Sequence, residues 1–373
     1  MQIPFVDLKA QYESIKEEIN TAISNVILDS AFIGGKYIKS FEQNFANYIG
    51  VRHCIGVGNG TDALFIALKA SGIGKGDEVI TVSNSFIATP EAITMTGAKV
   101  VFVDCDIHTY NIDVQKIERA ITDKTKAIVP VHLYGQPANM DSIIEIAQRY
   151  NLIVVEDSAQ AHGAEYKGKK VGTIVPIACF SFFPGKNLGA YGDAGAIVSN
   201  SEAFAEKARM FANHGRKEKF NHEFEGINSR LDGLQAAILD VKLKYLEKWI
   251  ERRRAIAKIY DKELKEIVIT PSVLPDVRHV YHLYVIRVKN RDKVKEFLAD
   301  KEIYTGIHYP IPLPFLKAYD YLGHKPEDFP VTYSIKDEIL SLPIHGDMSD
   351  NQVEYVIEQL KVAIKKLQTG GLK

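Results

Sequence analysis

The sequence has few of the features that mark secreted, metal-binding or membrane proteins. Its three cysteines, Cys54, Cys105 and Cys179, are far apart, odd in number and mostly inside apolar runs. A disulfide framework or a zinc site needs paired or closely spaced cysteines, so we expect buried, reduced thiols. No apolar run approaches membrane-spanning length, and Met1–Leu8 has no basic start followed by an apolar stretch. We therefore predict no membrane association and a cytoplasmic location.

An excess of charge of one sign is also missing. Lysine plus arginine number 46 and aspartate plus glutamate 47, which leaves a net charge of −1. Because no overall field attracts a polyanion, we predict that nucleic acid is not a partner. The 373 residues, 46% of them hydrophobic, exceed what one simple core accommodates. We predict a large domain over residues 1–245 and a smaller α+β domain over residues 246–373.

Strand-like and helix-like segments alternate through the first half of the chain. Helices are predicted between most of the strand-like runs, which are residues 53–57, 78–82, 99–103, 127–131, 152–156, 177–182 and 194–199. This alternation is typical of an α/β fold whose mainly parallel sheet is covered by helices on both faces. Ligands of such sheets bind beyond the carboxyl ends of the strands. Gly60, Asp157, Ser181 and Lys186 all fall at or just after such ends.

Three further predictions concern segments outside this alternation. Apolar periodicity predicts one helix over residues 8–27. The polar patch 213–226 is interpreted as a solvated loop. Ser229-Arg-Leu-Asp232 has the spacing of a capping box and predicts the start of a long helix that reaches Trp249.

The stretch Ser181–Gly195 holds a single lysine, Lys186, between Pro-Gly and a glycine-dense turn. A lysine whose pKa is lowered becomes a neutral amine, which forms a Schiff base with an aldehyde or ketone. A lone lysine in such a loop is more often a surface residue. Two other segments favour a catalytic role for Lys186: Asp157 follows an apolar strand, and Gly58–Asp62 opens a helix after a second strand. A carboxylate, a lysine and a glycine-rich anion site are the parts that pyridoxal phosphate (PLP) requires.

The cofactor ring needs its nitrogen kept protonated, and a carboxylate beside that nitrogen does this. Asp157 is the candidate, although a cap after a strand is a common alternative for such a residue. Gln160 is predicted to donate to the ring oxygen. His162 packs either beside the cofactor or as a structural histidine. Phe86, which follows the strand 78–82, is expected to cover the ring face, with a place in the core as the alternative.

The cofactor phosphate needs hydrogen-bond donors. Backbone N–H groups at the start of a helix bind such an anion, which predicts a role for Gly60 and Thr61. Ser181 is predicted to add its hydroxyl. The run Gly56–Thr61 also resembles a dinucleotide fingerprint, but Thr61 stands where the third glycine belongs. We predict no metal site, since His279 and His282 would point to opposite faces of a strand.

Four motifs in this order resemble those of the DegT/DnrJ/EryC1/StrS aminotransferases, and the likeness runs nearly end to end. The motifs are Gly58-Asn-Gly-Thr-Asp-Ala-Leu, Glu156-Asp-Ser-Ala-Gln-Ala-His-Gly-Ala, Ser181–Gly195, and Gly226-Ile-Asn-Ser-Arg-Leu-Asp-Gly-Leu-Gln. The resemblance implies the PLP-dependent transferase fold type I, as in aspartate aminotransferase. It also implies a homodimer with shared active sites, and transamination of nucleotide-linked keto sugars by L-glutamate, which leaves as 2-oxoglutarate.

The resemblance assigns roles to individual residues. Lys186 is similar to the lysine that binds the cofactor covalently, and Asp157 to the partner of the ring nitrogen. Asn228 is similar to a residue that reaches the phosphate across the dimer interface. Gln160 matches the ring-oxygen contact. Gly60, Thr61 and Ser181 match the phosphate site, and His308 and Tyr309 match a His-Tyr pair near the sugar.

The chain departs from the family pattern at Gly185, where many relatives have threonine, and at Pro314, which replaces a frequent histidine. It looks most like the branch that converts dTDP-3-keto-6-deoxyhexose to dTDP-3-amino-3,6-dideoxyhexose. A 4-aminotransferase of dTDP- or UDP-4-keto-6-deoxyhexoses is the alternative. A PLP-dependent sugar dehydratase is disfavoured because relatives of that kind have histidine in place of Lys186. A PLP-binding regulatory protein is the non-enzymatic alternative.

Overall fold

The computed structural model describes residues 1–369. Its strands are β1 His53–Val57, β2 Glu78–Val82, β3 Lys99–Val103, β4 Thr125–Val129, β5 Ile153–Asp157, β6 Glu165–Tyr166, β7 Lys169–Lys170, β8 Ile177–Ser181, β9 Gly195–Ser199, β10 Arg216–Glu218, β11 Asn221–His222, β12 Val277–Arg278, β13 Tyr284–Arg287 and β14 Ile339–Leu342.

The helices follow the predicted alternation with the strands. They are α1 Leu8–Ser14, α2 Lys16–Leu28, α3 Lys36–Ile49, α4 Gly60–Ala70, α5 Ala88–Met95, α6 Val114–Ile117, α7 Met140–Tyr150, α8 Glu202–Phe211, α9 Gly233–Leu243, α10 Leu246–Leu264, α11 Arg291–Asp300, α12 Pro330–Ile335 and α13 Asp350–Gln368.

A seven-stranded sheet of order β1-β9-β8-β5-β4-β2-β3 forms the centre of the molecule. The pairs from β8 to β3 are parallel, and β9 runs antiparallel to both of its neighbours. Every residue of β2 and β9 is buried, as expected for strands that helices cover on both faces. The α/β class and the mainly parallel sheet are confirmed. The three cysteines, all within the described part, are buried and unbridged.

A second hydrophobic core lies in the C-terminal part. It collects buried side chains of α10, α11 and α13 with those of β13 and β14, which pair antiparallel. Ile3 also packs in this core, and it forms a bridge with Ile303. We propose the junction between α9 and α10, at residue 245, as the boundary between the two domains.

The structure corrects all three predictions outside the central alternation. The N-terminal helix is interrupted at Ile15, which has φ −134° and ψ 20°, so that α1 and α2 are separate. The polar patch forms the two-stranded hairpin β10–β11 instead of an irregular loop. The helix predicted to run on to Trp249 begins only at Gly233, with Asp232 as its N-terminal cap residue. It is also divided in two, because α9 ends at Leu243 and α10 begins at Leu246.

Candidate active site

The first turn of α4 meets the ends of β8 and β9 at one edge of the sheet. A Cβ on Gly60 would lie 2.6 Å from Cβ of Ser181, and one on Gly195 would lie 2.3 Å from the carbonyl oxygen of Asn59. Only glycine allows this close approach. The Asn59 side chain caps α4 by accepting from the Asp62 backbone N–H at 2.8 Å. Gly60, Thr61 and Ser181 are thereby brought together, as the sequence predicts.

Ser229 contributes to the same place, and sequence reasoning missed it. Its hydroxyl accepts from the Gly58 backbone N–H at 3.0 Å and donates to Asp62 Oδ2 at 2.7 Å. The predicted capping box at Ser229 is therefore wrong, because this side chain ties the loop before α9 to the start of α4. Asn228, one residue earlier, has an exposed side chain.

Asp157 lies at the end of β5, where the structure buries its carboxyl. Oδ2 accepts from the Thr89 hydroxyl at 2.7 Å, and Oδ1 accepts from the Ala159 backbone N–H at 3.1 Å. Burial raises the pKa of the Asp157 carboxyl above its usual value, and these two hydrogen bonds oppose the shift. Thr89 also escaped prediction, although a hydroxyl one turn after Phe86 was a visible signal.

Lys186 lies on the tight bend that follows β8. Its backbone N–H donates to the Phe183 carbonyl at 2.8 Å, and a Cβ on Gly189 would lie 2.2 Å from the Pro184 carbonyl oxygen. Burial lowers the pKa of the Lys186 amine to about 8, while the charge of Asp157 opposes the shift. The lowered pKa increases the neutral fraction of the amine near neutral pH, and nucleophilic attack requires the neutral form.

Gln160 and Tyr309 form a polar wall of the site. Gln160 Oε1 accepts from the Tyr134 backbone N–H at 2.7 Å, and its Nε2 donates to the Tyr309 hydroxyl at 3.2 Å. The Tyr309 ring centroid is 5.8 Å from that of Phe86, which is 54% exposed. Phe86 is therefore free of the core, and its alternative assignment as a core residue is wrong.

Two histidines named as candidate site residues, His308 and His162, are uncharged at neutral pH. Burial and the charge of Lys186 lower the pKa of His308 to about 4, and its Nδ1 lies 2.8 Å from the Ser341 hydroxyl. Burial lowers the pKa of His162 to about 3. The His162 ring packs against Phe180 and Phe182, and within the described residues neither of its nitrogens has a hydrogen-bond partner.

The donor set fits a phosphorylated pyridine aldehyde. The first N–H groups of α4 lack intrahelical acceptors and carry the positive end of the helix dipole, which suits a phosphate. Asp157 offers a buried carboxylate for a ring nitrogen, and Lys186 offers an amine of lowered pKa. Nothing in residues 1–369 groups three or more histidine, cysteine or acidic side chains as a metal site. No helix of that described range is long and apolar enough to cross a membrane.

Comparison with known proteins shows relatives along nearly the whole chain. A transaminase of Aneurinibacillus thermoaerophilus named for dTDP-3-amino-3,6-dideoxy-alpha-D-galactopyranose is 49% identical over 95% of this chain and 98% of its own. A UDP-2-acetamido-2-deoxy-3-oxo-D-glucuronate aminotransferase of Pseudomonas aeruginosa is 42% identical over 96% and 99%. A Geobacillus stearothermophilus protein named pleiotropic regulatory protein is 47% identical over 96% and 98%.

Solved structures agree with the fold. A crystal structure of S. venezuelae DesV in complex with a ketimine intermediate has a TM-score of 0.95 at 40% identity, covering 98% of this chain and 99% of that one. The NtdA protein of Bacillus subtilis, with bound cofactor PMP, has a TM-score of 0.91 at 34% identity, covering 98% and 85%. The predicted aminotransferase fold is confirmed.

The predicted family resemblance is confirmed as well. The model of the DegT/DnrJ/EryC1/StrS aminotransferase family matches residues 13–361, which include every candidate site residue discussed above. The chain belongs to the DegT/DnrJ/EryC1/StrS aminotransferase family.

Proposed function

We propose that this chain is a PLP-dependent aminotransferase that transfers the amino group of L-glutamate to a nucleotide-linked 3-keto sugar. One observation carries the chemistry: Asp157 ends β5, Lys186 follows the neighbouring strand β8, and the start of α4 packs against Ser181 at the end of that same strand. The pKa of Lys186 is lowered to about 8 there. The relatives named as transaminases of nucleotide-linked sugars supply the substrate class.

The cofactor, when bound, supplies an aldehyde that accepts the amino group and a cationic ring that stabilises negative charge on the reacting carbon. Asp157 would hold the ring nitrogen protonated. The N–H groups of Gly60 and Thr61 and the hydroxyl of Ser181 would bind the phosphate. Gln160 is placed to orient the ring oxygen through Nε2, and Phe86 is placed to cover the ring face.

Lys186 has two tasks in this proposal. Its Nζ would hold the cofactor covalently in the resting enzyme. As a free amine of lowered pKa, Nζ would take the proton from Cα of glutamate. In the second half-reaction the same group would return a proton to C3 of the sugar. His308 and Tyr309, whose pair lies beside Gln160, would contact the sugar.

For the substrate, we favour dTDP-3-keto-6-deoxyhexose, which would give dTDP-3-amino-3,6-dideoxyhexose. Two relatives named for position 3 of the sugar support the position of amination. They differ in nucleotide, so a UDP-linked 3-keto sugar fits the same chemistry. The alternative is a 4-keto-6-deoxyhexose linked to dTDP or UDP. Gly185 and Pro314 depart from the family pattern. Gly185 directly precedes Lys186, and Pro314 follows the His308–Tyr309 pair, so both are placed where they could affect sugar preference.

A homodimer is also part of the proposal. Asn228 is exposed and follows the hairpin β10–β11, whose tip residue Phe220 is 85% exposed. The family resemblance implies a dimer with shared active sites, and the exposed Asn228 is accessible to a partner subunit. We propose that Asn228 of one subunit reaches the phosphate held by the other.

The regulatory alternative is supported by the names of two relatives, a pleiotropic regulatory protein and a sensory transduction protein. A protein that only binds PLP has no need of a lysine with a lowered pKa for proton transfer, so the intact site favours an enzyme. Detectable turnover with glutamate separates the two readings.

The test is incubation of the purified protein and PLP with L-glutamate and one keto sugar at a time. The sugars are dTDP-3-keto-6-deoxyhexose, dTDP-4-keto-6-deoxyhexose and a UDP-linked 3-keto sugar. We expect stoichiometric 2-oxoglutarate and an amino sugar with nitrogen at C3 by NMR. Nitrogen at C4 would overturn the position, no 2-oxoglutarate with any sugar would overturn the function, and an active Lys186→Ala variant would overturn the role of the lysine.

A further inference from the structure

The first turn of α5 has no role in the reaction described so far, yet one of its side chains contacts Asp157. The Thr89 hydroxyl donates to Asp157 Oδ2 at 2.7 Å. Thr89 is 1% exposed and Asp157 is 4% exposed, so water does not compete for this hydrogen bond. The two residues belong to α5 and β5, and their contact is therefore set by the tertiary fold.

A second hydroxyl gives this contact a direction. Ser85 Oγ lies 3.2 Å from Thr89 Oγ1. An ionised carboxylate only accepts hydrogen bonds, so Thr89 uses its one proton for Asp157 and accepts from Ser85. The result is a buried chain from Ser85 through Thr89 to Asp157. Asp157 Oδ1 has its own donor, the Ala159 backbone N–H at 3.1 Å. Each carboxylate oxygen keeps lone-pair capacity for one further partner.

The same segment carries the aromatic candidate. Thr89 N–H donates to the carbonyl oxygen of Phe86 at 3.3 Å. Phe86, whose side chain is exposed toward Tyr309, and Thr89, whose side chain is buried against Asp157, are thus held in one turn. This turn therefore connects Phe86, proposed to cover the ring face, with Asp157, proposed to bind the ring nitrogen.

We infer that Thr89 is a positioning residue, which keeps the Asp157 carboxylate ionised and fixed in orientation for the cofactor's ring nitrogen. The inference rests on the proposed function. A buried carboxyl without donors binds a proton, and a protonated Asp157 could not hold the ring nitrogen cationic. Two hydrogen-bond donors oppose protonation of Asp157, the Ala159 N–H and the Thr89 hydroxyl. The first belongs to the backbone, so only the Thr89 hydroxyl can be removed by substitution.

The test uses Thr89→Val, which removes the hydroxyl but keeps the branched shape, and Thr89→Ser, which keeps the hydroxyl. Thr94→Val is the matched control, because Thr94 lies on the same helix, is half-buried, and donates to the Glu91 carbonyl oxygen at 3.1 Å, away from Asp157. Each apoprotein is titrated with PLP for its dissociation constant. The absorbance of the bound cofactor is then followed against pH.

We expect Thr89→Val to bind PLP about 10- to 100-fold more weakly, as for loss of a buried hydrogen bond to a charged group. Its ring nitrogen should lose the proton at a pH about one unit lower than in the wild type. Thr89→Ser should restore both values to within roughly threefold, and Thr94→Val should match the wild type. In an Asp157→Asn background, Thr89→Val should have little further effect, because its effect passes through Asp157.

Wild-type affinity and pH profile in Thr89→Val would overturn the inference. So would equal impairment of Thr89→Ser and Thr89→Val, which would show that shape matters and the hydroxyl does not. If Thr89→Val does not fold, Ser85→Ala decides: it should weaken PLP binding by a smaller factor, and an unchanged affinity would count against the chain. A wild-type protein that does not bind PLP would overturn the proposed function itself, whereas binding without any effect of Thr89 overturns the inference alone.

Discussion

The side-chain nitrogen of Lys242, on α9, donates a 2.7 Å hydrogen bond to the carbonyl oxygen of Gly189, on the bend that carries Lys186. Lys242 is fully buried, and its nitrogen lies 4.1 Å from the ring centroid of Tyr191. Gln235, also on α9, accepts from the Tyr191 backbone N–H at 2.8 Å. Two side chains of α9 therefore hold the segment that follows Lys186.

Lys242 makes the stability of the chain depend on pH. Burial lowers its pKa from 10.5 to about 7. The unfolded chain therefore binds more protons than the folded one between these two values, and the free energy of unfolding rises with pH across that window. Lys242→Met should show a shallower rise in urea denaturation between about pH 7 and about pH 9.5. Lys244→Met, a neighbouring exposed lysine, should keep the wild-type slope; equal slopes in all three proteins would contradict this account.

Ser229→Ala should loosen the start of α4. The variant removes the donor to Asp62 Oδ2 and the acceptor for the Gly58 N–H, both within or next to the proposed phosphate site. We expect a loss of about 1–2 kcal/mol in the free energy of unfolding and weaker binding of PLP. Ser71→Ala is the control, because the Ser71 hydroxyl donates to the Ala67 carbonyl oxygen at the other end of α4. Equal effects of the two substitutions on PLP affinity would contradict a local role.

Gly195→Ala tests the close approach of β9 to α4. The added Cβ would lie 2.3 Å from the Asn59 carbonyl oxygen, so the strand and the helix start must separate. We expect a destabilisation of about 1–3 kcal/mol, together with weaker PLP binding. At Gly74 the nearest atom to an added Cβ is 4.0 Å away, so Gly74→Ala is the control. It should change neither the thermal stability nor the affinity for PLP by much. A neutral Gly195→Ala would show that this approach is not required.

Asp157→Asn should change the pH dependence of the apoprotein. Burial raises the pKa of the Asp157 carboxyl in the folded chain. The folded chain then binds more protons than the unfolded one above the ordinary pKa of 3.8, and the free energy of unfolding falls as pH rises through the folded pKa. Asp157→Asn should lack this fall in denaturation experiments that start near pH 4 and move upward. Parallel curves for the two apoproteins would contradict the raised pKa.

Periodicity was sufficient to predict the central sheet, because strands covered on both faces read as continuous apolar runs. The breaks in the helical segments were harder. Ile15 interrupts the first helix while remaining 5% exposed, so the apolar pattern continues across the break. The spacing of apolar residues alone does not distinguish one continuous helix from two consecutive helices that bury the same face.

The site was predictable where chemistry dictates residue type, as at Lys186 and Asp157. It was not predictable where a side chain acts over a long separation in sequence. Ser229 has the spacing of a local helix cap, but its hydroxyl bonds to Asp62, which lies 167 positions earlier in the chain. Thr89 lies 68 positions from Asp157. Such pairs are determined by the fold, and a single sequence does not display them.

The most direct test of the account is borohydride reduction of the protein with PLP, followed by mass mapping of its peptides. Both Lys186, at about 8, and Lys242, at about 7, have a lowered pKa, so the label distinguishes between them. We predict a phosphopyridoxyl group on the peptide that contains Lys186, and none in Lys186→Arg. A label on Lys242, or on no lysine at all, would contradict the central claim.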